Sequence, residues 1–102
     1  AVDAERSRAR LDAELAYRQL LLARERVFVS VRGRETMAAD LDATRSRLAR
    51  GVASELDTLR SAMQLADVER RLADALAAER GADVQLRVLA DLPVGPTLVL
   101  TT

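Results

Sequence analysis

The sequence lacks several residue types on which common protein chemistries depend. It contains no cysteine and no histidine, which removes disulfides, thiolate chemistry and the most frequent general base and metal ligand. Tryptophan is also absent, and aromatic residues make up 2% of the 102 residues. Compact domains of this length usually bury several aromatic rings, so we expect a narrow core, one seam wide, between closely spaced helices.

Charge of neither sign is in excess, because 16 basic residues, all of them arginine, balance 16 acidic ones. Nucleic-acid binding would favour a cationic stripe with aromatic platforms, and basic clusters such as Arg6, Arg8 and Arg10 or Arg45, Arg47 and Arg50 have no aromatic residues beside them. The chain also has no glycine-rich phosphate loop, no Cys/His metal spacing and no nucleophile paired with a base. We therefore predict no enzyme activity, no cofactor, no metal site and no nucleic-acid partner.

Long hydrophobic runs are missing too. No segment has the uninterrupted apolar length of a membrane-spanning helix, and the first residues lack the apolar stretch of a signal peptide. We expect the sequence to be an internal piece of a longer chain.

Apolar residues, mostly leucine and alanine, instead recur at seven-residue spacing in two long segments. The register residues are Leu20, Val27, Leu41 and Leu48 in the first segment, and Leu65, Val68, Leu72, Ala75, Ala82, Leu86 and Leu89 in the second. Sustained seven-residue spacing is typical of helices that pack side by side in a left-handed coiled coil. We expect residues at equal distance from the turn between the segments to pair, for example Leu41 with Met63.

Residues 45–59 end one amphipathic helix and begin another within four residues. Gly51 can adopt the left-handed conformation that closes a helix C-terminus without a steric cost from a Cβ atom. Ser54, followed three residues later by Asp57, has the spacing of a capping box at a helix N-terminus. We therefore predict an all-α fold, a long antiparallel coiled-coil helical hairpin.

The predicted hairpin has four parts along the chain. They are a descending helix over 1–50, a tip turn over 51–54, a returning helix over 55–92 and an extended tail over 93–102. Pro93 and Pro96 end the helical pattern, since proline cannot continue a helix. Gly33 and Gly81 lie within the predicted helices, where each should cost about 1 kcal/mol relative to alanine. They are either tolerated small residues or points of kinking or close approach.

Several apolar residues fall outside the seven-residue registers. Among them are Leu21, Leu22, Val29, Val31, Leu59, Leu76 and Val84. A hairpin with such a broad apolar surface cannot cover it with its own seam. We therefore expect the hairpin to pack against further helices.

Acidic and basic residues also stand four apart in the order that favours a helix. Asp67 with Arg71 and Asp83 with Arg87 are two such pairs. Each pair adds roughly 0.2–0.5 kcal/mol to helix stability, so we interpret them as structural support on solvated faces.

Three segments occur in an order that matches a known helical hairpin. Ala16-Tyr17 and Leu20-Leu21-Leu22 come first, residues 47–60 read Arg-Leu-Ala-Arg-Gly-Val-Ala-Ser-Glu-Leu-Asp-Thr-Leu-Arg, and residues 86–93 read Leu-Arg-Val-Leu-Ala-Asp-Leu-Pro. These segments resemble the Ala-Tyr-x-x-Leu opening, the tip run and the Leu-Ala-x-Leu-Leu-Gly-x-Pro ending of hairpins in TolC-family outer-membrane efflux proteins. The departures from the family pattern at Ala90-Asp91 and at Leu56, where some members have Thr, leave the subgroup open among drug efflux, metal efflux and type I secretion.

The resemblance implies a structural role in a trimeric outer-membrane exit duct for efflux or type I secretion. In that family twelve antiparallel helices form an α-barrel across the periplasm, and this hairpin would be one stave of the barrel. The full-length protein would be a homotrimer that meets a periplasmic adaptor protein of a tripartite pump. Its membrane contact would be made only through β-barrel segments that are missing from this sequence. The implied location is the periplasmic portion of a bacterial outer-membrane protein.

The resemblance also places the contact with the adaptor at the tip. The expected partner-binding residues are Arg50, Gly51, Val52, Ala53, Ser54, Leu56 and Asp57. Asp57 is the candidate for polar tip contacts or gating, and capping of the second helix explains it equally well.

Two other functions remain open. The α-hairpin of a periplasmic adaptor, or membrane fusion, protein also carries an Arg, a Leu and a Ser near its turn, a pattern that Arg45, Leu48 and Ser54 could form. The acidic residue of that pattern follows the serine at longer spacing than Asp57 does, so the fit is poorer. A generic coiled-coil interaction module is the other alternative, and it would have no second apolar face.

Overall fold

The computed structural model describes residues 2–90, which form two long helices joined by a short turn. Helix α1 spans Val2–Ala49 and helix α2 spans Glu55–Leu89. The two helices pack against each other in antiparallel orientation, and the molecule measures 74 × 23 × 20 Å. The all-α helical hairpin predicted from the sequence is therefore confirmed. The predicted tail over 93–102 and the predicted end of the returning helix beyond residue 90 lie outside the described residues.

The interface between α1 and α2 is a narrow seam along the predicted registers. The buried residues are Ala16, Leu20, Ala23, Leu41 and Thr44 on α1, and Ser61, Leu86 and Arg87 on α2. Far from the turn, Ala16, Leu20 and Leu86 form an apolar cluster, and Tyr17 and Ala82 pack against it. Full burial of a leucine contributes about 1.5–3 kcal/mol. This cluster therefore holds together the end of the hairpin that lies away from the turn.

The predicted pairing of Leu41 with Met63 is wrong. The two residues lie at the same distance from the turn, but Met63 does not face the seam. Leu41 is buried in the seam, but Met63 is 64% exposed. Ser61 faces inward near this level, with its hydroxyl oxygen 3.0 Å from a carboxylate oxygen of Asp40. Equal distance from the turn fixes the level of two residues, whereas the rotation of each helix decides which residue faces the seam. Two residues of helix correspond to about 200°, so Ser61 and Met63 point in nearly opposite directions.

Gly33 and Gly81 both lie inside uninterrupted helix. A Cβ atom added at Gly33 would lie 3.6 Å from Val68 Cγ1, which is an ordinary contact, and one added at Gly81 would meet nothing within 4 Å. Neither position requires glycine for space. The structure therefore favours the interpretation that both are tolerated small residues.

Large apolar side chains remain on the outside of both helices. Leu22 and Val29 on α1 are 53% and 59% exposed, and Leu59 and Val84 on α2 are 56% and 45% exposed. As expected from the sequence, apolar side chains outside the registers are therefore left uncovered by the seam. Over the described residues, neither helix combines the length and the apolarity that a bilayer crossing needs.

Candidate interaction site at the hairpin tip

The turn between the helices is held by a backbone motif that requires a residue in the left-handed region. Gly51 has a φ of 76°, and its N–H donates to the Leu48 carbonyl at 3.0 Å. The Val52 N–H donates to the Arg47 carbonyl at 2.9 Å. These two bonds form a Schellman motif and satisfy carbonyl groups at the C-terminus of α1. The predicted role of Gly51 in closing the first helix is confirmed.

Helix α2 begins with a complete capping box. The Asp57 N–H donates to Ser54 Oγ at 3.1 Å, and the Ser54 N–H donates to Asp57 Oδ2 at 3.0 Å. The predicted capping role of both residues is therefore confirmed. The box and the Schellman motif together fix the path of the chain on both sides of the turn, since N–H and carbonyl groups that have no partner within the helices are satisfied by the tip itself.

The capping box also sets the charge of Asp57. The hydrogen bond from the Ser54 backbone N–H is the largest cause that lowers the pKa of Asp57 below its ordinary value, and the Ser54 hydroxyl is the next. Desolvation opposes these two bonds, while the positive charges of Arg60 and Arg47 lower the pKa further. Asp57 therefore carries its negative charge at neutral pH while it is bonded to the turn.

Val52 is exposed in the turn, and the helix positions against which it would usually pack are not apolar. The residue at its position in a Schellman motif usually packs against an apolar side chain one turn back in the helix. Here those positions hold Ser46 and Arg47, and Val52 is 70% exposed. The predicted tip residue Val52 is thus presented to the outside by the local fold.

An apolar patch lies on the first two turns of α2. Leu56, Leu59 and Met63 are 54%, 56% and 64% exposed, and their spacing of three and four residues places them on one face of the helix. We call these three residues the tip apolar patch. Leu56 was predicted as a site residue, whereas Leu59 and Met63 were not. The spacing of the three residues in the sequence is the signal that identifies the patch.

A polar layer interrupts the seam near the turn. Thr44 and Ser61 are 3% and 7% exposed, and their hydroxyl oxygens lie 3.3 Å apart across the two helices. Ser61 Oγ donates to Asp40 Oδ2 at 3.0 Å, and Thr44 Oγ1 donates to the Asp40 carbonyl at 2.9 Å. Arg47 Nη2 donates to Thr44 Oγ1 at 3.2 Å. The layer therefore joins the helices by hydrogen bonds near the turn, whereas the cluster of Ala16, Leu20 and Leu86 joins them by apolar contacts far from it.

A pocket of about 320 Å³ adjoins this layer beneath the turn, and we call it the tip pocket. It is lined by Asp40, Thr44, Arg47, Val52, Ala53, Asp57, Arg60, Ser61 and Gln64. Three predicted site residues, Val52, Ala53 and Asp57, are brought together here. The other four, which are Arg50, Gly51, Ser54 and Leu56, are not among its lining residues. The predicted tip therefore divides into a polar pocket and an exposed apolar surface.

Six of the lining residues were not predicted from the sequence. Thr44 and Ser61 could have been found, because they are polar residues on the seven-residue registers of Met37 and Val68. The charged members stand three or four residues from these two hydroxyls or from each other, which places each set on one helix face. Spacing does not show that the two faces meet, since that depends on the rotation of both helices.

A more apolar groove of about 470 Å³ lies midway along the hairpin. Its lining combines Val29, Ser30, Ala75 and Ala78 with two acidic residues, Glu25 and Asp74, and two basic ones, Arg26 and Arg71. Small residues let a neighbouring helix approach closely, and the balanced charges favour a neighbour that itself carries both signs. We call this surface the lateral groove.

The tip as a whole combines a fixed turn, an exposed apolar patch and a polar pocket, a combination of apolar and polar surface that is typical of protein interfaces. Groups of three or more acidic side chains placed to hold a metal ion do not occur within residues 2–90. No family model, no curated protein and no solved structure matches the chain.

Proposed function

We propose that this chain is a structural hairpin whose tip docks to a partner hairpin, as one stave of a trimeric outer-membrane exit duct for efflux or type I secretion. The partner is a periplasmic adaptor protein of a tripartite pump, and the hairpin lies in the periplasm. The observation that carries the proposal is the tip apolar patch, exposed beside a turn that is fixed on both sides. The segments that resemble TolC-family hairpins support the same function.

The tip apolar patch has the dimensions of a helix-docking surface. Leu56, Leu59 and Met63 extend along about 10 Å of α2, which is two helical turns. Burying a side chain of this size contributes about 1.5–3 kcal/mol, so three of them can supply the centre of a small interface. The turn is already held by its own hydrogen bonds, which reduces the entropy lost when a partner docks.

The lateral groove supports the role as a stave. Its apolar lining residues Val29, Ala75 and Ala78, together with the exposed Leu22, give the side of the hairpin a surface that a neighbouring helix can cover. Neighbouring hairpins in a ring would meet along such sides, while their tips stay free for the adaptor. The tip and the side thus offer separate surfaces for the two kinds of contact.

Docking can be tested with the complete 102-residue chain and a panel of purified adaptor hairpins from drug-efflux, metal-efflux and type I secretion systems. We expect one class of adaptor to bind, and the triple variant Leu56→Ser, Leu59→Ser, Met63→Ser to weaken that binding at least about tenfold, since apolar contact area is lost. Leu11→Ser is the matched control, because Leu11 is 64% exposed and lies at the far end of α1. Circular dichroism checks that each variant keeps its helices.

Two results would contradict the proposal. Equal binding by the wild-type chain and the triple variant would exclude the tip apolar patch as the docking surface. Failure of every adaptor, combined with self-association of the chain in sedimentation experiments, would instead favour a generic coiled-coil interaction module.

A further inference from the structure

The hydrogen-bonding capacity of the tip pocket is unevenly used. Its two carboxylates are engaged, because Asp40 Oδ2 accepts from Ser61 Oγ at 3.0 Å and Asp57 Oδ2 accepts from the Ser54 N–H at 3.0 Å. Asp40 also supplies its carbonyl to Thr44. Each carboxylate therefore accepts one hydrogen bond from the hairpin itself and keeps further acceptor sites.

The donors of the pocket are largely unused. Within residues 2–90 the Arg60 side chain makes no hydrogen bond or salt bridge, although its positive charge acts on Asp57. The Arg47 side chain makes one hydrogen bond, from Nη2 to Thr44 Oγ1 at 3.2 Å. A guanidinium group has five N–H donors. The amide of Gln64 adds two more on the same lining. The pocket therefore presents a surplus of donors to whatever enters it.

We propose that the tip pocket binds a carboxylate, supplied by an aspartate or glutamate side chain of the partner hairpin, between Arg47 and Arg60. This inference rests on the proposed docking function and adds the chemistry of one partner residue. A planar guanidinium binds a carboxylate through two parallel N–H bonds, which fixes orientation as well as adding energy. The hydroxyls of Thr44 and Ser61 and the small side chain of Ala53 leave the space in which the acidic group sits.

The carboxylate also complements the apolar contact at the tip apolar patch. Apolar contact at the patch is non-directional. A bidentate ion pair, in contrast, fixes the rotation and register of the partner helix. A partner with an apolar helix face and one acidic residue near its turn would satisfy both surfaces at once.

The first experiment uses the free chemical group. Sodium glutarate is titrated into the ¹⁵N-labelled chain at constant ionic strength, and the Nε–H signals of the arginines are followed by NMR. We expect saturable shifts of Arg47 and Arg60, and about tenfold weaker binding in Arg60→Gln, since a charge-assisted hydrogen-bonded pair is lost. Arg60→Lys keeps the charge without the fork and should bind at an intermediate strength. Arg8→Gln, at the start of α1, is the matched control.

The opposite chemistry is tested in the same way with arginine hydrochloride. Shifts produced by free arginine and none by glutarate would overturn the proposal and assign recognition to Asp40 and Asp57. Shifts by glutarate that are unchanged in Arg60→Gln would also overturn it.

The second experiment distinguishes a protein side chain from a small dicarboxylate. Each acidic residue near the turn of the bound adaptor hairpin is replaced, one at a time, by the matching amide. We expect one of these replacements to weaken binding to the wild-type chain about tenfold. The same replacement should have no effect on binding to the Arg60→Gln chain. If every amide variant binds the chain as tightly as before while the tip apolar patch remains essential, the carboxylate inference is wrong and the docking function stands. If no adaptor binds but glutarate does, the pocket serves a free dicarboxylate and the protein-borne source is wrong.

Discussion

Thr44 on α1 and Ser61 on α2 place their hydroxyl oxygens 3.3 Å apart inside the seam, where both residues are buried. Thr44 also donates to the carbonyl of Asp40, and Ser61 donates to the carboxylate of the same residue. Each hydroxyl has one proton, so the two hydroxyls cannot make both of these bonds and donate to each other at the same time. The three residues therefore act as one unit that joins the helices near the turn.

Because the three residues share their hydrogen bonds, we expect a double variant to lose less stability than the sum of the two single variants. Thr44→Val and Ser61→Ala should each lower the free energy of unfolding by about 1 kcal/mol, since a buried polar partner loses a hydrogen bond. The double variant should cost less than the sum, because replacing both polar groups with apolar ones can be nearly neutral. Urea denaturation, followed by circular dichroism, measures the free energy of unfolding of the wild-type chain, both single variants and the double variant. Strictly additive losses would show that the two hydroxyls do not interact.

The hairpin was predictable from the sequence because its determinants are local. Seven-residue spacing requires only the sequence itself, and Gly51 and Ser54 mark a helix end and a helix start by their own backbone preferences. Each of these signals is contained within a few residues. Their agreement on one reversal point made the fold clear without any long-range contact.

The tip pocket was not predictable, because it depends on how each helix is rotated. Met63 was expected in the seam, and its exposure follows from Ser61 facing inward. The same rotation brings Arg60 and Gln64 to the lining of the pocket. In the sequence, a polar residue such as Ser61 on an apolar register suggests weak packing, whereas in the structure its hydroxyl donates to Asp40 on the opposite helix.

The glycines offer a test of where backbone freedom matters. Gly51→Val should lower the free energy of unfolding by at least about 1 kcal/mol, because an L-residue is strained in the left-handed region that this turn needs. Thermal and urea melts measure the change. An unchanged melting curve would remove the argument that the left-handed conformation at residue 51 closes α1.

The matched control for that test is alanine at a helical glycine. Gly81→Ala should raise the free energy of unfolding by up to about 1 kcal/mol, since the added Cβ atom meets nothing within 4 Å and alanine favours helix. Gly33→Ala should change stability in the same direction, because its Cβ atom would make an ordinary contact with Val68. A destabilised Gly33→Ala chain would indicate that the helices need the closer approach there.

Asp57 makes the tip sensitive to acid. Its pKa lies below the ordinary value of 3.8 in the folded chain, so the folded state favours the charged carboxylate. The stability it contributes is fully present above that ordinary value and is lost as pH falls through the lower, folded value. A ¹³C NMR titration of the carboxyl group should give a pKa below 3.8, and Ser54→Ala should raise the pKa toward it because the hydroxyl contribution is lost. Gly81→Ala is the control and should leave the pKa of Asp57 unchanged. A wild-type pKa at or above 3.8 would show that the capping box is not formed in solution.

Two ion pairs with the same spacing should differ in their contribution to stability because their burial differs. Arg87 Nε lies 3.3 Å from Asp83 Oδ2, and the two side chains are 5% and 15% exposed. Arg71 Nη2 lies 3.1 Å from Asp67 Oδ2, and these side chains are 70% and 40% exposed. Arg87→Ala removes a packed stem and leaves the Asp83 carboxylate mostly buried without this partner, so we expect a loss of about 3 kcal/mol. Arg71→Ala removes a solvated pair and should cost less than about 1 kcal/mol. Urea denaturation of both variants decides the comparison, and equal losses would show that Arg87 is solvated, as its spacing alone had suggested.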